Sequence, residues 1–421
     1  MTDFKFGSKK IPFSWPRGWD VSSWLPEDRP VFQEEGEIVI DALDAPFGSL
    51  PLAEVLDKDD RILVVVPDEN RNPRLDVILP ILLKRIQLRK PKRVEILVVG
   101  EGGVRPRVSD AFLAKLGSWD GCDDVHLHEP SEVVSDGLKE ESVLGTTIAV
   151  NPLILEADKV IVVDQMNFHD MLGYTGGGEG VSLGASGWET VRQNRSLVFD
   201  KKGRRHTRAA AARMNGNPVF EDAQEIAQLL NPDFVINAVL GIDQRITRVF
   251  CGDVGSSHVE GSRIMMGFFR MRVPRKKTIF VSAGGAPNDD SFLSVMKGIQ
   301  YWYRVVRPKG TLVVGAACTL GLGNDKLAKW LAMPPTEVRK VVANRESFDP
   351  LAYAVLCLRE AQHHCRILLW SDMNPEEVRF TGCVPIKNLP EAFLMVRKDT
   401  KEGLPQVGWV PSANQTLGIP G

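Results

Sequence analysis

The stretch Gly173–Gly184 reads GYTGGGEGVSLG. Three consecutive glycines, Gly176, Gly177 and Gly178, with others close by, are too many for a helix or a central strand. Such a segment lets backbone N–H groups approach an anion or a cofactor. No Gly-Lys-Ser/Thr follows, so it is not a phosphate loop of the Walker type, and it does not open a helix as a dinucleotide fingerprint would. The alternative is a flexible surface loop. Its position directly after the run KVIVV and His169 favours ligand binding. His169, in DQMNFHD, lies just past that run. A lone histidine is more often structural, but a strand end beside a glycine loop raises its functional weight.

Two further segments repeat the theme. VVVPDENRNP sets Asp68 and Arg71 after another β-branched run, between Pro67 and Pro73, which stiffen the turn. An arginine held there can clamp a carboxylate with two parallel hydrogen bonds; a local Asp68–Arg71 salt bridge fits the spacing equally well. VVGEGGVRPR (98–107) and SAGGAPNDD (282–290) again join glycines to an apolar run, and Lys297 follows the second by about two helical turns. An ordinary solvated lysine is the default for Lys297. The group His363, His364, Cys365 ends a helix-like stretch, has no second cluster at ligand spacing, and reads as surface or packing rather than metal.

Short continuous runs must position these residues: Arg61–Val66, Arg93–Val99, Lys159–Val163, Lys277–Val281 and Thr311–Val314. Continuous apolar runs suit strands buried on both faces of a parallel sheet. Helical spacing lies between them, at Asp76–Gln87 and Asp289–Val305. The expected fold is α/β: two α/β domains with mostly parallel sheets, with ligands at the carboxyl ends of the strands. The basic segment Arg270–Lys277 marks the boundary, giving domains 1–270 and 271–421. Residues 1–35, rich in Pro and Trp, read as an irregular arm of the first.

Composition excludes other classes. In 421 residues the apolar share is 43% and the charged share 25%, which is globular rather than disordered. The net charge of −2 supplies no field for nucleic acid or anionic lipid. No apolar run spans a bilayer, and the N-terminus lacks a signal-peptide core. Six cysteines without a CxxC pair read as reduced thiols. A cytoplasmic protein with a small acidic substrate is expected, with no nucleic-acid or membrane partner; a homo-oligomer is possible.

In order along the chain, the segments DENRNP (68–73), GGVRP (102–106), LGTT (144–147), FHDMLGYTGGGEGVSLG (168–184), ETVRQNRS (189–196), CGDVGSSHVEG (251–261), SAGGAPNDD (282–290) and VMKG (295–298) resemble the lactate racemase family. Characterised members racemise or epimerise 2-hydroxy acids with a nickel-pincer nucleotide. The resemblance implies two α/β domains with an interdomain active-site cleft, and an isomerase of a 2-hydroxy acid or sugar acid. It implies that Asp68 and the Gly176–Gly178 loop hold the cofactor. Arg71 and Lys297 would bind the substrate carboxylate, and His169 would lie near the metal.

The departures are as informative as the matches. Val104 and Arg195 stand where the family carries two catalytic histidines, and Glu179 stands where a lysine can tether the cofactor. Valine has no proton chemistry, and arginine stays protonated. Glu179 then becomes a base or a hard metal ligand, with His169 as the other acid/base candidate. Arg195 becomes either a third substrate-binding cation, which favours a dicarboxylate, a sugar acid or a phosphorylated acid, or the counter-ion of Glu179. The alternatives to a nickel-dependent isomerase are a different acid/base enzyme on the same scaffold and a non-catalytic carboxylate- or nucleotide-binding protein.

Overall fold

The computed structural model describes residues 2–26, 33–102, 104–400 and 402–421. The chain divides into two compact units, Arg29–Gly267 and Phe268–Gly421, the second completed by the N-terminal strands. Each unit is built on its own six-stranded sheet.

In the Arg29–Gly267 unit the strands lie in the order Ile246–Gly252, Phe234–Leu240, Lys159–Gln165, Arg61–Pro67, Arg93–Val99, Asp124–Leu127. All neighbours are parallel except the edge strand Ile246–Gly252. Alternation along each strand divides its apolar residues between two cores. Ile62, Val64, Ile96, Ile161 and Ile236 face one core with helix Leu75–Gln87. Leu63, Val65, Leu97, Val162 and Val235 face the other, where Val181 and Ala185 of the glycine-rich segment close over them. Burial on both faces is why the strands read as unbroken β-branched runs.

Arg61–Pro67 is the earliest strand of this sheet. The chain builds away from it on one side through Arg93–Val99 and on the other through Lys159–Gln165. Connections leaving these strands therefore diverge between Arg61–Pro67 and Lys159–Gln165, and the carboxyl ends there flank a crevice of the kind that takes ligands in such sheets.

In the other unit the order is Val384–Ile386, Arg366–Trp370, Val306–Gly315, Lys276–Ser282, Gln406–Val410, Asp20–Ser23, all parallel. Helix Phe292–Trp302 follows the SAGGAPNDD loop.

Two sequence expectations are corrected. The N-terminal segment is not an irregular arm of the first domain. Thr2–Phe6 and Lys9–Phe13 form an antiparallel hairpin, and Asp20–Ser23 extends the second unit's sheet. The aromatics explain it: Phe6 stacks on Trp370 at 4.5 Å, and Phe4 lies 5.1 Å from Trp409. A side chain on Gly315 would meet the Phe4 ring at 2.2 Å, so the hairpin sits directly on that strand. The boundary expected at 270/271 moves by three residues, and the basic segment there is itself paired. Arg270–Val273 pairs with Leu417–Pro420, and the units divide at Gly267/Phe268. The polar, Pro-containing composition reflects short edge strands rather than a connector.

His364 at the end of helix Pro350–His364 bonds Val306 O at 2.8 Å and packs edge-on to Tyr303, while Cys365 is buried; this is packing. Among the described residues no helix is long and apolar enough to cross a membrane.

Candidate functional site

The turn after Arg61–Pro67 begins at Asp68. Its Oδ1 accepts from Asn70 N and its Oδ2 from Arg107 N, both at 3.1 Å, and its own N–H donates to Val99 O. The Asp68 backbone thus ties the ends of two adjacent strands, and its buried carboxylate holds its own turn and the segment at Arg107. Burial pushes its carboxyl up, and the two amides pull against that rise. Asp68 is the hinge that aims Arg71.

Arg71 does not turn back on Asp68. It crosses the sheet's divergence point, where Nη2 donates to Asp164 Oδ1 at 2.9 Å and Oδ2 at 3.0 Å, and to Glu179 Oε2 at 3.3 Å. Asp164 lies near the end of Lys159–Gln165. Glu179 leads into the wide turn Gly180–Gly184, whose closing bond runs from Ala185 N to Gly180 O. Glu179 Oε1 in turn accepts from Arg195 Nη2 at 3.1 Å, presented by helix Trp188–Ser196. Two arginines and two carboxylates form one chain of ion pairs with no net formal charge. The Arg71 side chain is 16% exposed, Asp164 3%, Glu179 5% and Arg195 3%.

Burial dominates the electrostatics. It pushes the Asp164 carboxyl up to about 6; the Arg71 guanidinium opposes that rise and the Glu179 carboxylate adds to it. Burial also opposes the charge on Arg71, but Asp164 and Glu179 outweigh it and keep the guanidinium protonated. Asp164 is therefore held well above the ordinary carboxylate range by its burial. It lies inside DQMNFHD, and sequence reasoning assigned it no role. The available signal was a carboxylate interrupting an apolar strand at its carboxyl end.

The glycine loop is neither a flexible surface loop nor an open anion cradle. Residues 171–187 are all buried. Gly177 N donates to Asn237 Oδ1 at 2.7 Å, Glu179 N to Gly176 O, and Ser182 N to Gly178 O. A side chain on Gly178 would meet Ala227 Cβ at 2.3 Å, and one on Gly177 would meet the His258 ring at 2.9 Å. Gly176 and Gly177 also have φ of +88° and +64°. The glycines are there for close packing and left-handed backbone, and the Gly177 amide already has a partner inside the protein.

His169 is also committed. Its Nδ1 accepts from Met171 N at 3.1 Å and Leu172 N at 3.0 Å. Two amide donors on Nδ1 place the neutral ring's proton on Nε2, which faces Glu101 at 3.8 Å. Asp170 Oδ1, 3.3 Å from Nδ1, is a weaker competitor than those amides. His169 is first a clasp for the turn that enters the glycine loop. The expectation of His169 as metal ligand is not supported, because a ligating histidine ordinarily donates from its other nitrogen instead of accepting there.

Val104 is exposed and offers no proton chemistry; its neighbour Gly103, in the GGVRP motif, lies outside the described residues. Lys297 belongs to the other unit, on helix Phe292–Trp302, with Nζ 5.8 Å from the Tyr301 ring centroid. A further residue that sequence reasoning passed over is His258, in CGDVGSSHVEG. It is buried, stacks on Phe220 at 5.5 Å, and has Nε2 3.2 Å from Thr175 O. Burial pushes its ring down to about 4, so it is neutral at pH 7 and supports the loop.

Beside Glu179 is a cavity of about 10 Å³, room for one water, lined in part by Tyr174, Ser182 and Phe220. Ser182 Oγ and Arg195 Nη1 are buried and have no hydrogen-bond partner among the described residues. Among the described residues one His/Asp/Glu trio is spaced for a metal, Glu95, Asp124 and His126. Arg93 Nη2 already lies 3.2 Å from Glu95 and 3.4 Å from Asp124, so a cation is in place there.

Comparison with known proteins bears on this geometry. Residues 6–207 match the family described as lactate racemase N-terminal domain. The lactate racemase of Thermoanaerobacterium thermosaccharolyticum is 22% identical over 405 residues, covering 93% of each chain. That of Lactiplantibacillus plantarum is 25% identical over 292 residues, 69% of this chain and 68% of the relative. The structure of the lactate racemase apoprotein from T. thermosaccharolyticum superposes with a TM-score of 0.83 at 20% identity, over 99% of both chains. A crystal structure of a Thermotoga maritima protein does so with a TM-score of 0.67 at 15% identity, over 94% of this chain and 100% of that one.

Proposed function

We propose that this chain, which belongs to the lactate racemase family, is a racemase-like enzyme acting on a small 2-hydroxy acid or sugar acid at the divergence point of its Arg29–Gly267 sheet. The likeness to proteins named lactate racemase supports the racemase-like class. The observation that carries the site is the Arg71–Asp164 pair, a cation for the acid's carboxylate beside a carboxyl group held well above the ordinary carboxylate range.

The nickel-pincer nucleotide implied by the resemblance does not fit the residues present. Glu179 stands at the tether position, and its carboxylate already bonds two guanidiniums. Arg195 offers only donors and cannot ligate a metal. His169 Nδ1 is occupied by two amides. No step of the proposed reaction runs through that group.

In this reading Arg71 orients the acid. Its bonds to Asp164 and Glu179 run from Nη2 alone, which leaves the other guanidinium nitrogens uncommitted to these acids. The proton on the hydroxyl-bearing carbon passes to Asp164, and its electron pair delocalises into the carboxylate that Arg71 faces. Return of that proton to the same face restores the starting enantiomer; return to the opposite face, after the planar intermediate turns over beside Asp164, gives inversion. Water exclusion at the nearly buried Asp164 strengthens each of these interactions.

Steady-state kinetics on enantiopure 2-hydroxy acids tests the assignment. Asp164→Asn should lower kcat by roughly 10²–10⁴-fold, the usual weight of a positioned proton acceptor, with little change in KM. Arg71→Ala should raise KM. An Asp164→Asn enzyme with unchanged kcat refutes the role.

A further inference from the structure

We infer that Glu179 is the resident occupant of a carboxylate site: Arg71 and Arg195 form a receptor for one small monocarboxylate, and the Glu179 side chain fills it in the resting protein. The inference stands on the geometry of four side chains and does not depend on the proposed reaction.

The carboxylate of Glu179 lies between two guanidiniums, one oxygen to each, at 3.1 Å from Arg195 Nη2 and 3.3 Å from Arg71 Nη2. Charge-assisted bonds of this type are ordinarily about 2.7–2.9 Å, and arginine prefers to engage a carboxylate through two arms. Glu179 meets neither preference. Its backbone is fixed in helical geometry at φ −58° and ψ −37° as it leads into the wide turn, and its N–H is bonded to Gly176 O. Each guanidinium gives this carboxylate one bond, from Nη2, and no second arm.

The unused arm is visible. Among the described residues Arg195 Nη1 is buried and has no hydrogen-bond partner, and Ser182 Oγ, lining the cavity beside Glu179, has none either. A buried charged donor without an acceptor is costly. A free carboxylate, with no backbone to hold it back, can reach donors that Glu179 leaves over.

Charge fixes the ligand class. Asp164 and Glu179 together balance Arg71 and Arg195. Within these four side chains, removing Glu179 leaves one positive charge that Asp164 does not balance, and a monoanion restores the cluster's neutrality where a dianion overshoots. The space, the truncated side chain plus a cavity of about 10 Å³, admits formate or a molecule little larger.

The test uses the full chain and formate. Glu179→Ala should unfold at lower temperature than the parent in chloride buffer. Formate should raise its Tm by a few degrees, with saturation, at ionic strength matched by chloride. The parent should respond less strongly than Glu179→Ala, since Glu179 fills this site and only the unengaged nitrogens of Arg71 remain for an added acid. Glu179→Ala combined with Arg195→Met should lose the response, and oxalate should be a poorer stabiliser than formate. Equal responses of Glu179→Ala to formate and chloride, or a parent that responds as strongly, would overturn the inference. Should Glu179→Ala not fold, Glu179→Ser keeps a hydroxyl acceptor for Arg195 while vacating the carboxylate's volume. If neither folds in chloride, refolding yield is read instead, and formate must recover soluble protein or the inference fails. The readout is thermal, so a chain without racemase activity can pass it and an active chain can fail it.

Discussion

Glu179 Oε1 lies 3.1 Å from Arg195 Nη2, with both side chains nearly excluded from solvent. Relative to the lysine and histidine that the family resemblance leads one to expect, the two residues are a single compensated exchange. An acid that replaced a base is neutralised by a permanent cation. The extra positive charge that would favour a dianionic substrate is therefore cancelled within the protein, and the expectation of a dicarboxylate or phosphorylated acid loses its electrostatic basis. Glu179 is likewise displaced from the role of proton acceptor or hard metal ligand by its two guanidinium partners.

A buried pair of this kind predicts strong non-additivity. Glu179→Leu or Arg195→Met alone strands a buried charge and should cost about 3–5 kcal/mol of unfolding free energy. The double replacement should cost far less than the sum. Urea denaturation of the four proteins in a double-mutant cycle measures this directly. Additive losses would mean the two charges do not sense each other.

The glycine loop predicts a steric result. Gly178→Ala places a methyl 2.3 Å from Ala227 Cβ on helix Pro218–Leu230. Overpacking at a fixed backbone contact should destabilise by about 1–3 kcal/mol. Gly178 has no positive φ, so backbone strain does not account for the loss. Chemical denaturation of Gly178→Ala against Ala227→Gly/Gly178→Ala is the check, since removing the opposing methyl should restore most of the stability.

The fold was legible where one segment determined its own fate. Arg61–Val66, Arg93–Val99, Lys159–Val163, Lys277–Val281 and Thr311–Val314 each lie within an observed strand, because a continuous β-branched run has no other use in an α/β protein. The N-terminal hairpin was not legible: Phe4 and Phe6 find their partners at Trp370 and Trp409, far along the chain. Arg71 was legible as a clamp, but its acceptor Asp164 is 93 residues away, and nothing local marks that pairing. Gly176–Gly178 stood out by composition. The reason they are glycines is the proximity of Asn237, His258 and Ala227, which only the packed unit supplies.

His258 predicts a pH dependence. Burial depresses its ring from the ordinary 6.5 to about 4. A depressed histidine contributes stability above its unfolded value, and that contribution falls away as pH drops from about 6.5 toward 4. His258→Gln should remove this part of the acid-side loss. Unfolding free energies at pH 7 and pH 5 for both proteins test it; an unchanged pH difference would place the ring in contact with water.

Asp164 predicts the opposite slope. Its carboxyl is raised from 3.8 to about 6, so the folded state holds that proton more tightly than the unfolded chain. The contribution is complete below about pH 4 and is lost as pH rises through 6. The stability of the parent relative to Asp164→Asn should therefore fall across that window. A rise over the same range would show that the ion pair with Arg71 outweighs burial.

The most direct test of the central claim is chiral chromatography of single-enantiomer 2-hydroxy acids incubated with purified, chelator-treated protein of measured nickel content. The account predicts loss of enantiomeric purity for at least one small 2-hydroxy acid at sub-stoichiometric nickel, and abolition of that loss by Asp164→Asn. Activity that appears only when nickel reaches one equivalent, or that survives Asp164→Asn, would contradict it.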